Sequence, residues 1–271
     1  MNMSRLSLFS YGVLPLALLA TAFNPACAQE PLKVFAAGSL SGPLTVLAKQ
    51  FEADTGEPVE MVFGPAGLLL ERIEHGEPAD VFASANMAHP QQLAREGKAI
   101  PPLVFIRNSI CVLARPELHL TTENLLAKLL DPAVKIGTST PKADPGGDYA
   151  WTLFANAGKV QPGARELLEA KAQQLVGGKN NPPVPAGQDA VKYFLEHKQV
   201  DTFIGYCSSR ETTPDARFTK VTLPPELAVT ADFGLTVLHP RSGSRDTAYR
   251  FALFLLTPAA QQTLVDYGFF R

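Results

Sequence analysis

Four short segments join small residues to an immediately following helical pattern: Ala37-Gly38-Ser39, Gly64-Pro65-Ala66-Gly67, Asp144-Pro145-Gly146-Gly147 and Gly187-Gln188-Asp189. Small side chains let backbone N–H groups come close to a guest, and the first N–H groups of a helix have no partner inside it. A helix start also carries roughly half a positive charge. Such turns can hold a small anion without a lysine or arginine. Each turn taken singly has a plainer explanation, since glycine serves any turn that needs a positive φ. Asp189 reads as a favourable charge at a helix start rather than as a contact to an anion, which a carboxylate would repel.

Ser39 has two further readings. As a helix cap ahead of Leu44 it would accept an N–H, a role compatible with facing a guest. As a nucleophile it would need a base within hydrogen-bond reach and an orienting acid. The chain supplies no GxSxG elbow, because Gly38-Ser39-Leu40-Ser41-Gly42 puts Leu40 at the centre. Nor does the Gly177-Gly178-Lys179 stretch match the GxxxxGK[ST] phosphate loop. A secreted hydrolase or transferase is therefore set aside, and the chain is read as a binding protein without catalytic residues. The histidines His75, His89, His119, His197 and His239 lack metal-ligand spacing, and no CxxC occurs. No metal or cofactor is expected.

Other charged and aromatic candidates have ordinary assignments. Arg72, one helical turn beyond the second segment, sits in the mixed pattern Glu71-Arg72-Ile73-Glu74 of a solvated face. Lys142 and Asp144 flank the third segment as a polar loop able to gate a cleft, and Trp151 and Phe154 on the next helix belong to the core.

The elements that must position these turns follow from periodicity. LKVFAA at 32–37 reads as a buried strand, followed by Leu44, Leu47, Ala48 and Phe51 at helical spacing. The same unit recurs with a strand at 59–63 and a helix face of Leu69, Leu70 and Ile73, then with a strand at 80–84 and a helix near 91–96. Alternation of this kind predicts an α/β fold with mostly parallel sheet. The strand at 109–114 is read as a crossing into a second lobe. That lobe holds helices near 123–130, 147–156, 164–174 and 188–197, and strands from 134 and at 202–206. A strand at 233–239 returns the chain to the first lobe and to two last helices at 249–256 and 259–267. The expected division is 29–108 plus 230–271 for one lobe and 109–229 for the other.

The chain has 271 residues, 24 basic and 26 acidic side chains and a net charge of −2, a balance that argues against an electrostatic nucleic-acid binder. Arg5, the apolar stretch through Leu14 to Leu19 and the small-residue pattern Ala26-Cys27-Ala28 read as a secretory signal cleaved after Ala28. That apolar run is shorter than the roughly 20 residues of a membrane span. Cys111 and Cys207 remain after cleavage. An oxidising compartment permits a bridge, and two buried thiols are an equally good reading.

The segments VFAAGSL at 34–40, FGPAGLLLERIEHGEPADVFASA at 63–85 and DYGF at 266–269 resemble the periplasmic molybdate-binding proteins of ABC importers. The likeness runs from about Pro31 to Arg271. It implies a type II periplasmic binding protein, with two α/β lobes joined by a hinge and closing on the ligand. It further implies a monomer that captures a small oxyanion, molybdate or tungstate foremost, and passes it to an ABC permease in the inner membrane. Carried over residue by residue, the ligand contacts fall on Ser39, Ala66, Gly146, Gln188 and Tyr206. The second turn departs from the family, which is rich in serine there, whereas this chain has Pro65-Ala66-Gly67. A hydroxyl contact must be lost at that place or replaced by a backbone N–H. Sulfate, phosphate and ferric ion are the alternative cargoes, iron being disfavoured because Tyr206 stands alone in its segment among hard-ligand residues.

Overall fold

The computed structural model describes residues 30–213, 215–239 and 245–271. The expected leader, residues 1–28, lies outside the described residues. The first lobe begins with β1 (Leu32–Ala37), buried along its length except at Pro31 before it and Lys33 within it. Such two-sided burial is what a near-continuous apolar run requires. β1 pairs in parallel with β2 (Val59–Gly64) on one side and β3 (Val81–Ser84) on the other. Between them run α1 (Ser41–Thr55), α2 (Ala66–Glu74) and, after β3, α3 (Ala88–Arg95). α1 stops at Gly56, whose positive φ of 75° lets its N–H reach back to the Glu52 carbonyl.

β4 (Leu103–Ala114) is twelve residues long and belongs to both lobes. Its first half pairs antiparallel with β9 (Thr230–Val237), which in turn pairs with β3. Its second half pairs antiparallel with β7 (Thr202–Tyr206) and β8 (Thr219–Thr222). The strand order is therefore β2-β1-β3-β9-β4-β7-β5-β6, with β8 added on β4. Here β5 is Ile136–Ser139 and β6 is Ala172–Val176, both parallel to their neighbours. Parallel pairing thus rules within each lobe, and antiparallel pairing marks the strands that cross between them. The second lobe's helices are α4 (Leu125–Leu130), α5 (Pro145–Val160), α6 (Ala164–Lys171) and α7 (Ala190–Glu196). α8 (Arg245–Leu255) and α9 (Pro258–Asp266) complete the first lobe.

One lobe is built on Phe35, Phe82, Phe233 and Phe251, all fully buried. The other has Phe154, Leu153 and Ile204 in its main core and Phe194, Leu195 and Phe203 in a smaller one. Tyr149 and Tyr206 pack against the main cores of both lobes. Burying one such aromatic ring contributes on the order of 2–3 kcal/mol.

Apart from shifted boundaries, as in β4, which starts at Leu103 rather than 109, two differences from the sequence expectation add a strand. The helix predicted over 164–174 ends at Lys171, because Ala172 to Val176 pair with β5 and sheet pairing overrides the tolerance of glutamine for helix. The strand Thr219–Thr222 was not anticipated, being only four residues long. The two cysteines form a disulfide, with Cα atoms 4.9 Å apart, that ties the middle of β4 to the residue after β7.

Candidate functional site

All four turns lie at the start of helices, and two of them, the first and the second, follow directly on strand ends. Ser39 falls in a single 3₁₀ turn, Gly38–Leu40, between β1 and α1. Ala66 is the first residue of α2, after Pro65. Gly146 is in the first turn of α5, and Gln188 precedes the Asp189 cap of α7. Tyr206 ends β7.

Two of these five carry an unusual feature. The Ser39 Oγ and Tyr206 OH are buried and have no hydrogen-bond partner among the described residues. A buried hydroxyl left unpaired costs about 1–3 kcal/mol, so such groups demand an explanation. The third orphan, Glu57 Oε2, belongs to a carboxylate whose other oxygen takes Arg250 Nη1 at 2.5 Å and is explained by that pair. The ring of Tyr206 is held edge-on by Phe233 at 5.5 Å and by Tyr149 at 6.2 Å. Burial first, and then the negative charge of Asp144, pushes its phenol well above the ordinary range. The hydroxyl therefore stays protonated, a donor with nothing to donate to. Tyr149 is likewise pushed up by burial, and its OH donates to the Ala85 carbonyl at 3.0 Å, from α5 to the end of β3.

The other turns are more occupied. Ala66 is buried, and the first N–H groups of α2 have no acceptor inside the helix. The next of them, on Gly67, is taken by the Ala143 carbonyl of the opposite lobe at 3.0 Å. Gly146 is buried and donates its N–H to Asp144 Oδ1 at 3.0 Å, while Gly147 donates to the Asp144 carbonyl at 2.9 Å. Asp144 thus caps α5. Burial raises its carboxyl above the ordinary range, against the hydrogen bonds from Gly146 and Ser139 that favour the charged form. Gln188 is exposed, and its N–H donates to the Pro185 carbonyl at 3.2 Å.

Asp189 caps α7 by accepting from the Lys192 N–H at 3.1 Å and takes Arg210 Nη1 at 3.2 Å. The sequence reading missed Arg210. Its Nη2 stands 3.7 Å from the place a Cβ on Gly38 would occupy. The signal lay in its position four residues after Tyr206, in a loop leaving a strand's carboxyl end, where open α/β sheets bind ligands. Arg72 is exposed, pairs with Glu77 at 2.5 Å and covers the Phe35 ring at 4.8 Å, in keeping with a solvated helix face. Phe154 is buried and Trp151 packs against it at 5.3 Å. A broad groove of about 710 Å³ lies beside α2 between Glu71, Arg72, His75 and Lys179, away from the two orphan hydroxyls. Among the described residues no cluster of His, Cys, Asp or Glu side chains is placed to hold a metal ion. Nor is any of their helices long and apolar enough to cross a membrane.

The family model of bacterial extracellular solute-binding proteins matches residues 32–270. An uncharacterized protein of Pasteurella multocida, PM1146, is 36% identical over 208 residues, covering 75% of this chain and 86% of the relative. The molybdate-binding protein ModA of Azotobacter vinelandii is 29% identical over 180 residues, 64% of this chain and 70% of that one. Among solved structures, the sulfate-binding protein SubI of Mycobacterium tuberculosis superposes with a TM-score of 0.70 at 16% identity. That match covers 88% of this chain and 86% of SubI, and it speaks to the fold alone. The two lobes on crossing strands are those of a type II periplasmic binding protein, and the chain belongs to the bacterial extracellular solute-binding protein family.

Proposed function

We propose that this protein is a periplasmic receptor that closes on a small oxyanion, molybdate or tungstate foremost, and delivers it to an ABC permease. The observation that carries the reading is the pair of buried, partnerless hydroxyls, Ser39 Oγ from the first lobe and Tyr206 OH from the second. A desolvated dianion needs donors that bring no charge of their own to be stripped of water, and hydroxyls and backbone amides meet that need. In this reading the start of α2 at Ala66 and the start of α5 at Gly146 add backbone N–H groups and helix-end charge. Gln188, exposed in this conformation, would join only through movement of its loop. The lobes 29–108 plus 230–271 and 109–229 would close as units about the crossing strands, after a leader ending at Ala28 has been removed.

Ferric ion is less well served. Hard-metal sites use ionised phenols or carboxylates, and burial holds the Tyr149 and Tyr206 phenols in their protonated form. Sulfate and molybdate carry equal charge, so cavity size and donor spacing must choose between them. Likeness in sequence to a molybdate-binding protein supports the larger anion.

The test is a thermal melt of purified protein with molybdate, tungstate, sulfate and phosphate. Binding to the folded state alone stabilises by about 2.7 kcal/mol at a hundredfold excess over Kd. One or two of the four should raise the melting temperature, increasingly with concentration. If none does so at millimolar concentration, the oxyanion reading is wrong.

A further inference from the structure

We infer that Arg210 is the charge-matching residue of the cleft, paired here with Asp189 and transferred to a dianion when one binds. The inference rests on the oxyanion reading and deepens it, because it makes double negative charge the property selected.

Two of the four turns meet at this side chain. Nη1 pairs with Asp189 Oδ2 at 3.2 Å, before α7. Nη2 stands 3.7 Å from where a Cβ on Gly38 would lie, one residue before Ser39 in the chain. The guanidinium charge also acts on the Asp144 carboxyl that caps α5. Its backbone is firmly seated. Cys207 is bridged to Cys111, and its N–H donates to the Ser109 carbonyl at 2.8 Å. Ser208 and Asn108 exchange two hydrogen bonds, at 2.7 and 3.2 Å. Ser209 donates to the Tyr267 carbonyl at 2.9 Å, and a Cβ added at Gly42 would collide with the Arg210 carbonyl. The loop therefore leans on the start of α1 in the opposite lobe.

A fixed base with a side chain still 56% exposed is the arrangement of a gate: the root is placed by the hinge and the head is free to change partner. The contact to Asp189 uses one edge of a planar group with five donors, in a fork that matches two oxygens of one oxyanion. An exposed ion pair of this kind is worth little by itself, so an arriving dianion displaces Asp189 at small cost. Neutral donors then shape the cavity while Arg210 supplies the net charge.

The test compares Arg210→Met, Arg210→Lys and Asp189→Asn with the wild type. Affinity is measured by calorimetry for whichever of molybdate, tungstate, sulfate and phosphate the wild type binds most tightly, at low and high salt. Asparagine at 189 keeps an acceptor for the Lys192 N–H and so keeps the cap. Arg210→Met should weaken binding about ten- to a hundredfold and flatten its salt dependence. Arg210→Lys should fall between, keeping charge without the fork. Asp189→Asn should tighten binding about two- to fivefold by freeing the guanidinium. If the pair merely braces the loop, Arg210→Met and Asp189→Asn will weaken binding together, and the inference fails. It also fails if Arg210→Met binds as the wild type does, with the oxyanion reading intact. A wild type that binds none of the four anions overturns both.

Discussion

The backbone N–H of Gly67 donates to the carbonyl of Ala143 at 3.0 Å, bonding the first turn of α2 directly to the turn before α5 across the junction of the lobes. A Cβ added at Gly67 would stand 2.8 Å from that oxygen and 3.0 Å from its carbon, both rigid backbone atoms. The two turns can therefore meet this closely only with glycine here. Alanine suits the helix itself, being the better helix former by up to about 1 kcal/mol. Gly67→Ala should push the two turns apart, so that the melting temperature of the protein falls despite the better helix former, and should weaken anion binding about five- to a hundredfold. Calorimetry measures the loss, and small-angle scattering at saturating anion should show a larger radius than the closed wild type. Wild-type affinity in this variant would mean that this contact is dispensable for closing.

Ser39→Ala and Tyr206→Phe remove the two orphan hydroxyls. Each should weaken anion binding by about 1–3 kcal/mol, the range for loss of a hydrogen bond to a charged partner. Because the hydroxyls are unpaired in the present conformation, the ligand-free protein should not lose stability and is expected to gain some. That opposite movement of stability and affinity, read by melting and calorimetry on the same samples, separates a binding role from a packing role. A packing role would lower both.

The Asp144 carboxyl is raised by burial, so the folded protein keeps this proton at pH values where the unfolded chain, near its ordinary 3.9, has lost it. The folded state then binds the extra proton, and the contribution of this group to stability falls as pH rises through the window between the two values. Ionisation also places a negative charge beside the anion site. Asp144→Asn retains an acceptor for the Gly146 N–H and removes both effects. Its affinity should exceed that of the wild type at pH values where Asp144 is ionised, and the rise in wild-type affinity on acidification through that titration should be absent. Calorimetric titrations with sulfate or tungstate at a series of pH values upward from the ordinary carboxylate range check this; weaker binding by the variant at every pH would contradict it.

The Cys111–Cys207 bridge closes a loop of 96 positions at the root of the Arg210 segment. Loop-closure entropy assigns such a bridge about 4–5 kcal/mol. The double Cys→Ser variant should melt markedly lower than the wild type and, at temperatures where it remains folded, bind anion less tightly because the loop beyond Tyr206 has lost an anchor. Equal affinity in the folded variant would confine the bridge to a role in stability.

The parts of this molecule set by local pattern were visible in its amino-acid order. Leu32 to Phe51 and Val59 to Ile73 announce strand, turn and helix because apolar spacing changes from continuous to helical at Gly38 and at Pro65. Tyr206 could be placed at a strand end from Thr202-Phe203-Ile204-Gly205. The parts set by contacts between distant residues were not visible. Ala172-Gln173-Gln174 carries no strand signature until β5 is beside it. Arg210 sits in the polar run Cys207-Ser208-Ser209-Arg210, and its approach to Gly38 arises only when the two lobes meet. The last helix of the second lobe was expected from Gln188, yet it starts at Ala190 because Asp189 takes the cap, leaving Gln188 in solvent. The pairing of Cys111 with Cys207 likewise depends on β4 lying beside β7.

The most direct test of the central claim is a crystal structure of the protein grown with tungstate, whose heavy atom can be located by its anomalous scattering. The account predicts one tetrahedral anion between the lobes, within about 3 Å of both Ser39 Oγ and Tyr206 OH. An anion bound away from these two hydroxyls, or a closed protein in which its own side chains fill the space between them, would contradict it.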